Sequence, residues 1–233
     1  MKYENIVKGT FISRPNRFIA EVSVNGSVER AHVKNTGRCK ELLIPGAKIF
    51  LQDFGEAHET RKTRYDLIGV MKGNMMINMD SQVPNKVAEE AFKAGKTELP
   101  GMGKLSVIKR EKTYGNSRFD FYLEDEEGNK AWLEVKGVTL EENGVVKFPD
   151  APTERGIKHL NELVEAVNNG YRGFILFVIQ IDDVREFRPN DDTHKAFGDA
   201  LRRASAAGVS VLAYNCDVKE DELNIKGKIP VVL

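Results

Sequence analysis

The sequence predicts an α+β protein in two domains, a small closed β-barrel of the OB type over residues 1–82 and an α/β domain around a mixed sheet over residues 83–233. Three features lead there. Short β-rich runs separated by turn residues fill the first eighty or so positions, as small antiparallel barrels require. Beyond residue 82 the apolar spacing shifts to three- and four-residue steps that alternate with strand-like runs. Two of the later runs, residues 174–180 and 209–215, are apolar almost throughout, the pattern of strands covered on both faces.

In the first domain the expected strands are residues 6–12, 18–24, 28–33, 47–52, 65–71 and 75–79. Asn25-Gly26 supplies the left-handed conformations that a two-residue hairpin needs. Pro45-Gly46 and Gly73-Asn74 are further turns, and residues 37–43 read as a short helical turn. The second domain opens with a connector from Ser81 to Asn85. A helix follows whose Val87, Ala88, Ala91 and Phe92 share a face and which Gly95 ends. Strands are expected at 105–112, 117–123 and 130–137, the last two joined by the polar turn Asp125-Glu126-Glu127-Gly128-Asn129. A loop over 140–152 leads to a helix that Thr153 caps. Its apolar stripe is Ile157, Leu160, Val164 and Val167, and Asn168-Asn169-Gly170 stops it. A helix over 193–207 and a short tail from Ile225 complete the reading.

Composition narrows the function classes. With 41% hydrophobic and 30% charged residues in 233, the chain can bury a core and does not read as disordered. No run approaches the roughly 20 apolar residues of a membrane span, and residues 1–10 lack the layout of a secretory signal, so a cytoplasmic protein is expected. Cys39 and Cys216 stand in no CxxC pattern and are expected to be reduced thiols. The net charge is zero, but residues 1–84 carry +4 and residues 85–233 carry −4. The first part suits phosphates and the second a cation.

The chemistry concentrates in Ser117-Arg118-Phe119-Asp120-Phe121 and Leu133-Glu134-Val135-Lys136-Gly137. Glu134 and Lys136 share a strand face because side chains alternate. If the hairpin turns about Glu127, Asp120 lies opposite Glu134 and shares that face, while Phe119 and Phe121 join Leu133 and Val135 on the buried one. Two adjacent carboxylates repel, and a divalent cation relieves the repulsion. Asp120 and Glu134 are therefore the expected metal ligands, with Mg²⁺ or Mn²⁺ as the cofactor. Lys136 would assist an attacking water or stabilise charge on a phosphodiester. An ordinary cross-strand ion network is the competing account. Glu90, on the preceding helix, is a further candidate ligand, although the helical wheel does not separate it from Glu89.

Arg155, Lys158 and His159 lie near the start of the helix that Thr153 caps, where a helix N-terminus also favours anions. Arg118 precedes the first acid. In the barrel, Arg14, Arg17, Lys34, Arg38 and Lys40 fall on successive strands and loops that one groove could gather. Stacking aromatics are sparse there, which favours backbone contacts to DNA, or to RNA, over base reading. The competing account is a scattered, solvated surface.

At these residues the sequence resembles the sugar fermentation stimulation protein A (SfsA) family. The resemblance rests on Asn35-Thr36-Gly37-Arg38, Glu41-Leu42, Pro45-Gly46, Pro84-Asn85 and Glu90-Ala91. It continues through Ser117 to Phe121, Glu134 to Leu140, Phe148 to Ala151, His159-Leu160, Gly208-Val209, Ala213-Tyr214 and Ile229-Pro230-Val231. It implies an OB-like barrel joined to a PD-(D/E)XK nuclease-like domain, with Asp120, Glu134 and Lys136 at that superfamily's metal and catalytic positions and Glu90 at its helix glutamate. It also implies largely sequence-non-specific DNA binding and a link to sugar, notably maltose, metabolism. Two functions follow as expectations: a metal-dependent nuclease, or a non-catalytic DNA-binding regulator.

Overall fold

The computed structural model describes residues 1–35, 37–55 and 61–233. Thr36, part of one block of the family resemblance, lies outside them. Six strands form the first sheet: β1 (Ile6–Asn16), β2 (Ile19–Val24), β3 (Ser27–Val33), β4 (Lys48–Asp53), β5 (Tyr65–Lys72) and β6 (Met75–Asn78). Their order is β3-β2-β1-β4-β5-β6, and a parallel pairing of β3 with β5 closes the first five into a barrel. The hairpin chemistry is local. Asn25 (φ 51°) and Gly26 (φ 83°) both sit in the left-handed region, and Val24 pairs with Ser27 across them.

The second domain is built on a sheet ordered β15-β14-β12-β9-β8-β7. Its strands are β7 (Leu105–Tyr114), β8 (Ser117–Asp125), β9 (Lys130–Val138), β12 (Arg172–Ile179), β14 (Ser210–Val218) and β15 (Leu223–Lys228). The central three, β9, β12 and β14, run parallel and the rest antiparallel. Helix α1 (Pro84–Lys93) covers one face, where Phe92 meets Phe121 edge-on. Helices α2 (Glu154–Asn168) and α3 (Asp191–Ala206) cover the other through Leu160, Leu163, Phe197 and Leu201. All three helices end in the same way: a left-handed glycine, Gly95, Gly170 or Gly208, with two reversed hydrogen bonds that satisfy terminal carbonyls. Among the described residues no helix is long and apolar enough to cross a membrane.

Three expectations need correction. The segment over 140–152 is not all loop: β10 (Leu140–Glu142) and β11 (Val145–Phe148) form a hairpin, and β13 (Glu186–Pro189) adds in parallel to make a small third sheet. The tail from Ile225 is in part a strand, since β15 starts at Leu223 and runs to Lys228. The buried stripe of α2 is rotated, running through His159, Leu160, Leu163 and Ala166, with Ile157, Val164 and Val167 at its margin.

Two apolar clusters each combine residues of the barrel and of the α/β domain, and polar contacts cross between them. Asn78 donates its N–H to Gln180 O at 3.0 Å, and Gln180 Nε2 reaches Asn78 Oδ1 at 2.8 Å. This joint fixes the end of β12 against the connector before α1.

Candidate functional site

Strands β8 and β9 follow the expected register, with Phe121 opposite Leu133, Tyr122 opposite Trp132 and Leu123 opposite Ala131. The ladder stops at Phe121. Asp120 does not continue it as a plain cross-strand pair. Its Oδ2 accepts the backbone N–H of Val135 at 2.8 Å, and its Oδ1 accepts Asn85 Nδ2, from the first turn of α1, at 2.7 Å. Glu111, the residue facing this point on β7, has φ 53°. The strand is twisted there, so Phe119 turns toward Trp132 and His159 while Phe121 packs on α1. The expectation that both phenylalanines share one face is therefore incorrect.

Glu134 is 3% exposed and looks toward α2. Its Oε1 accepts from Lys136 Nζ and from His159 Nδ1, each at 2.5 Å. Its Oε2 is buried with no hydrogen-bond partner among the described residues. Burial drives the Glu134 carboxyl upward, but the bond from His159 and the charge of Lys136 outweigh it and hold the group below its ordinary value. Asp120 goes the other way: burial and the charge of Glu134 raise it, against the Val135 and Asn85 hydrogen bonds and Lys136. The charge of Glu134 acts on Asp120, and the two acids shift in opposite directions.

Among the described residues no three His, Cys, Asp or Glu side chains form a ready cation cage. Two carboxylates with one free buried oxygen still match a small divalent ion, since Mg²⁺ commonly takes one or two carboxylates and keeps several waters. Glu90 is not in this group. Its Oε2 pairs with the Met1 ammonium at 2.7 Å, on the side of α1 facing β15. From α1 it is Asn85 that reaches Asp120.

The basic residues divide into those free to meet a ligand and those already used. Arg14 donates to the carbonyls of Arg17, Asn35, Gly37 and Arg38, a structural staple instead of a phosphate contact. Lys34 pairs with the buried Asp66 at 3.0 Å and Asp80 at 3.3 Å. His159 is 3% exposed and holds Glu134, so it is not on the surface that phosphates meet. Arg17, Arg38 and Lys40 are exposed and line one groove of about 330 Å³. Arg155 and Lys158 are exposed on α2, where Lys158 Nζ reaches Asn116 O at 2.9 Å in the β7–β8 turn, and the exposed Arg118 pairs with Glu111 at 3.6 Å. The sequence did carry one signal for His159: Leu163 and Ala166 lie four and seven residues on, which puts all three on one stripe.

Comparison with known proteins agrees with this architecture. Residues 82–222 match the family described as "Sugar fermentation stimulation protein RE domain", and residues 12–79 match "SfsA N-terminal OB domain". A sugar fermentation stimulation protein homolog of Desulfitobacterium hafniense (strain DSM 10664 / DCB-2) is 56% identical over 233 residues, covering 100% of this chain and 99% of the relative. A homolog of the same name from Clostridium beijerinckii is 54% identical, with 100% of both chains covered. The solved structure of Pyrococcus furiosus SfsA in complex with Ca²⁺ superposes with a TM-score of 0.87 at 28% identity, covering 100% of this chain and 98% of that one.

Proposed function

Because the chain belongs to the sugar fermentation stimulation protein (SfsA) family, we propose that it is a cytoplasmic DNA-binding protein that cleaves phosphodiester bonds with Mg²⁺ or Mn²⁺ held by Asp120 and Glu134. Residues 1–82 would serve binding and residues 83–233 would carry the acids. One observation carries the reading: Glu134 Oε2 is a buried carboxylate oxygen without a partner, beside a second carboxylate. Such an atom is costly to bury unless something binds it. The Ca²⁺ of the P. furiosus relative is a hard, oxygen-seeking cation of the same class.

A divalent ion at such a site supplies charge stabilisation for a phosphate and acidifies a bound water. The protein's own residues prepare for it. His159 and Lys136 keep Glu134 ionised, and Asn85 and the Val135 N–H aim Asp120. Lys136 brings a positive charge to the place where phosphate charge would gather. Arg17, Arg38 and Lys40 offer a groove for backbone phosphates, a contact that carries no sequence preference.

The test is incubation of labelled DNA and RNA with the purified protein, with and without Mg²⁺ or Mn²⁺, beside Asp120→Ala, Glu134→Ala and Lys136→Ala. Metal-dependent cleavage lost in all three variants supports the reading. Salt-sensitive binding with no cleavage under any metal overturns it in favour of a non-catalytic DNA-binding regulator.

A further inference from the structure

A second cavity lies where the barrel meets the end of β9. It measures about 180 Å³ and begins one residue beyond Lys136, at Gly137. Its walls combine the apolar faces of Val138, Leu140 and Phe148 with polar atoms from three separate segments. Gln180 is 1% exposed; its Nε2 is bound to Asn78 Oδ1 and Asp80 O, and its Oε1 has no partner among the described residues. Asp150 lines the same cavity with an exposed carboxylate, and Asn35 commits its Oδ1 to Gly37 N–H at 2.8 Å.

Two glycines keep the cavity open. A Cβ on Gly137 would stand 2.7 Å from Gln180 Oε1 and 2.7 Å from Pro84 Cγ. A Cβ on Gly37 would collide with Asp150 Oδ2 at 2.3 Å. Gly37 also lines the groove of Arg17, Arg38 and Lys40, so the cavity and the basic groove adjoin at that residue.

We propose that this cavity receives one unstacked nucleobase of the bound strand, and that its occupant is guanine. The inference rests on the nucleic-acid reading above. Of the donors that line it, Ser81 Oγ is spent on Lys34 O and Lys147 Nζ on Glu142, which leaves Gln180 Oε1 and the Asp150 carboxylate for a ligand that donates. Guanine carries two adjacent N–H donors on its pairing edge, which match a carboxylate in a bidentate pair. Unstacked bases are read by hydrogen bonds to their pairing edge and by contact with apolar side chains, here Leu140 and Phe148. The phosphates on either side would then run toward Arg38 and Lys40 in one direction and toward Lys136 in the other.

The experiment is calorimetric titration of the intact protein with GMP, AMP, CMP and TMP in the absence of divalent metal, with Asp150→Asn and Thr139→Val as variants. Both sites lie at the cavity and outside the acid pair, and thermal melting confirms that each variant folds. Wild type is expected to favour GMP over the other three by about tenfold or more, the range one bidentate pair supplies. Asp150→Asn should remove that preference, and Thr139→Val should keep it. Equal affinities for the four nucleotides, or a preference unchanged in Asp150→Asn, would overturn the proposal. Because no metal is present, this outcome is independent of whether Asp120 and Glu134 support cleavage.

Discussion

His159 and Glu134 meet between helix and sheet: Nδ1 of the imidazole donates to Oε1 of the carboxylate, and both side chains are 4% exposed. An ionised carboxylate can only accept, which fixes the histidine as donor there. Arg155 Nε lies 3.4 Å from the other ring nitrogen, so the imidazole is held at both ends. The arrangement is a buried acid kept ionised by a buried base.

His159→Leu should therefore be destabilising although it adds apolar volume. Glu134 would keep Lys136 as its remaining partner while losing a charge-assisted bond inside the protein, a loss of about 1–3 kcal/mol. Urea unfolding would show a lowered midpoint, and carbon-detected NMR titration would show the Glu134 carboxyl moving upward. A variant with the wild-type midpoint and an unmoved Glu134 would refute the positioning role.

Asn85 can be tested apart from the acids themselves. Asn85→Leu removes one of the two hydrogen bonds that hold Asp120 ionised, so the raised Asp120 carboxyl should rise further. Binding of Mn²⁺, followed by paramagnetic relaxation, should weaken about tenfold, the usual effect of losing an outer-shell partner. Unchanged Mn²⁺ affinity would show that Asp120 is oriented by Val135 alone.

The outcome at these residues shows what the chain discloses about itself and what it does not. Asn25-Gly26, Thr153 and Gly170 act through their own backbone neighbourhoods, so the hairpin, the cap and the stop are legible from local sequence. The hairpin register about Glu127 was legible for the same reason. The turn of Asp120 into the gap between strands was not, because it depends on the left-handed Glu111 of the neighbouring strand. Strands β11 and β13 pair in parallel between residues 41 positions apart, Val145 with Glu186 onward, and nothing within four-residue runs marks that partnership. Glu90 and His159 were misplaced for one reason: a charged side chain on a helix declares its type in the sequence, but its partner only in space. Met1 took Glu90, and Glu134 took His159.

The basic residues give a paired prediction. Arg14→Ala should lower the melting temperature, since four backbone carbonyls lose their donor. Arg38→Ala and Lys40→Ala should leave melting within about 1 °C or so, as exposed substitutions do. Each should instead reduce the dependence of log K for DNA on log salt by about one contact's worth. The reverse pattern, a stable Arg14→Ala with weakened binding, would return Arg14 to the phosphate surface.

Asp125 sets an acid limit on the hairpin that presents Glu134. Its carboxylate accepts the N–H groups of Gly103 at 2.7 Å, Glu127 at 3.0 Å and Asn129 at 2.8 Å, and the Asn129 amide at 2.8 Å. These bonds, that of Gly103 foremost, lower its pKa to about 2. The group is depressed in the folded state relative to about 3.9 in an unfolded chain. Its contribution is therefore complete above pH 4 or so and disappears as pH falls toward about 2. Asp125→Asn should be less stable than wild type at pH 6, because an amide offers one acceptor oxygen where the carboxylate offers two. The two proteins should converge as pH drops through that window. Urea midpoints for both at pH 6, 4, 3 and 2.5 measure this, and curves that stay parallel would mean that the charge of Asp125 does not hold the turn.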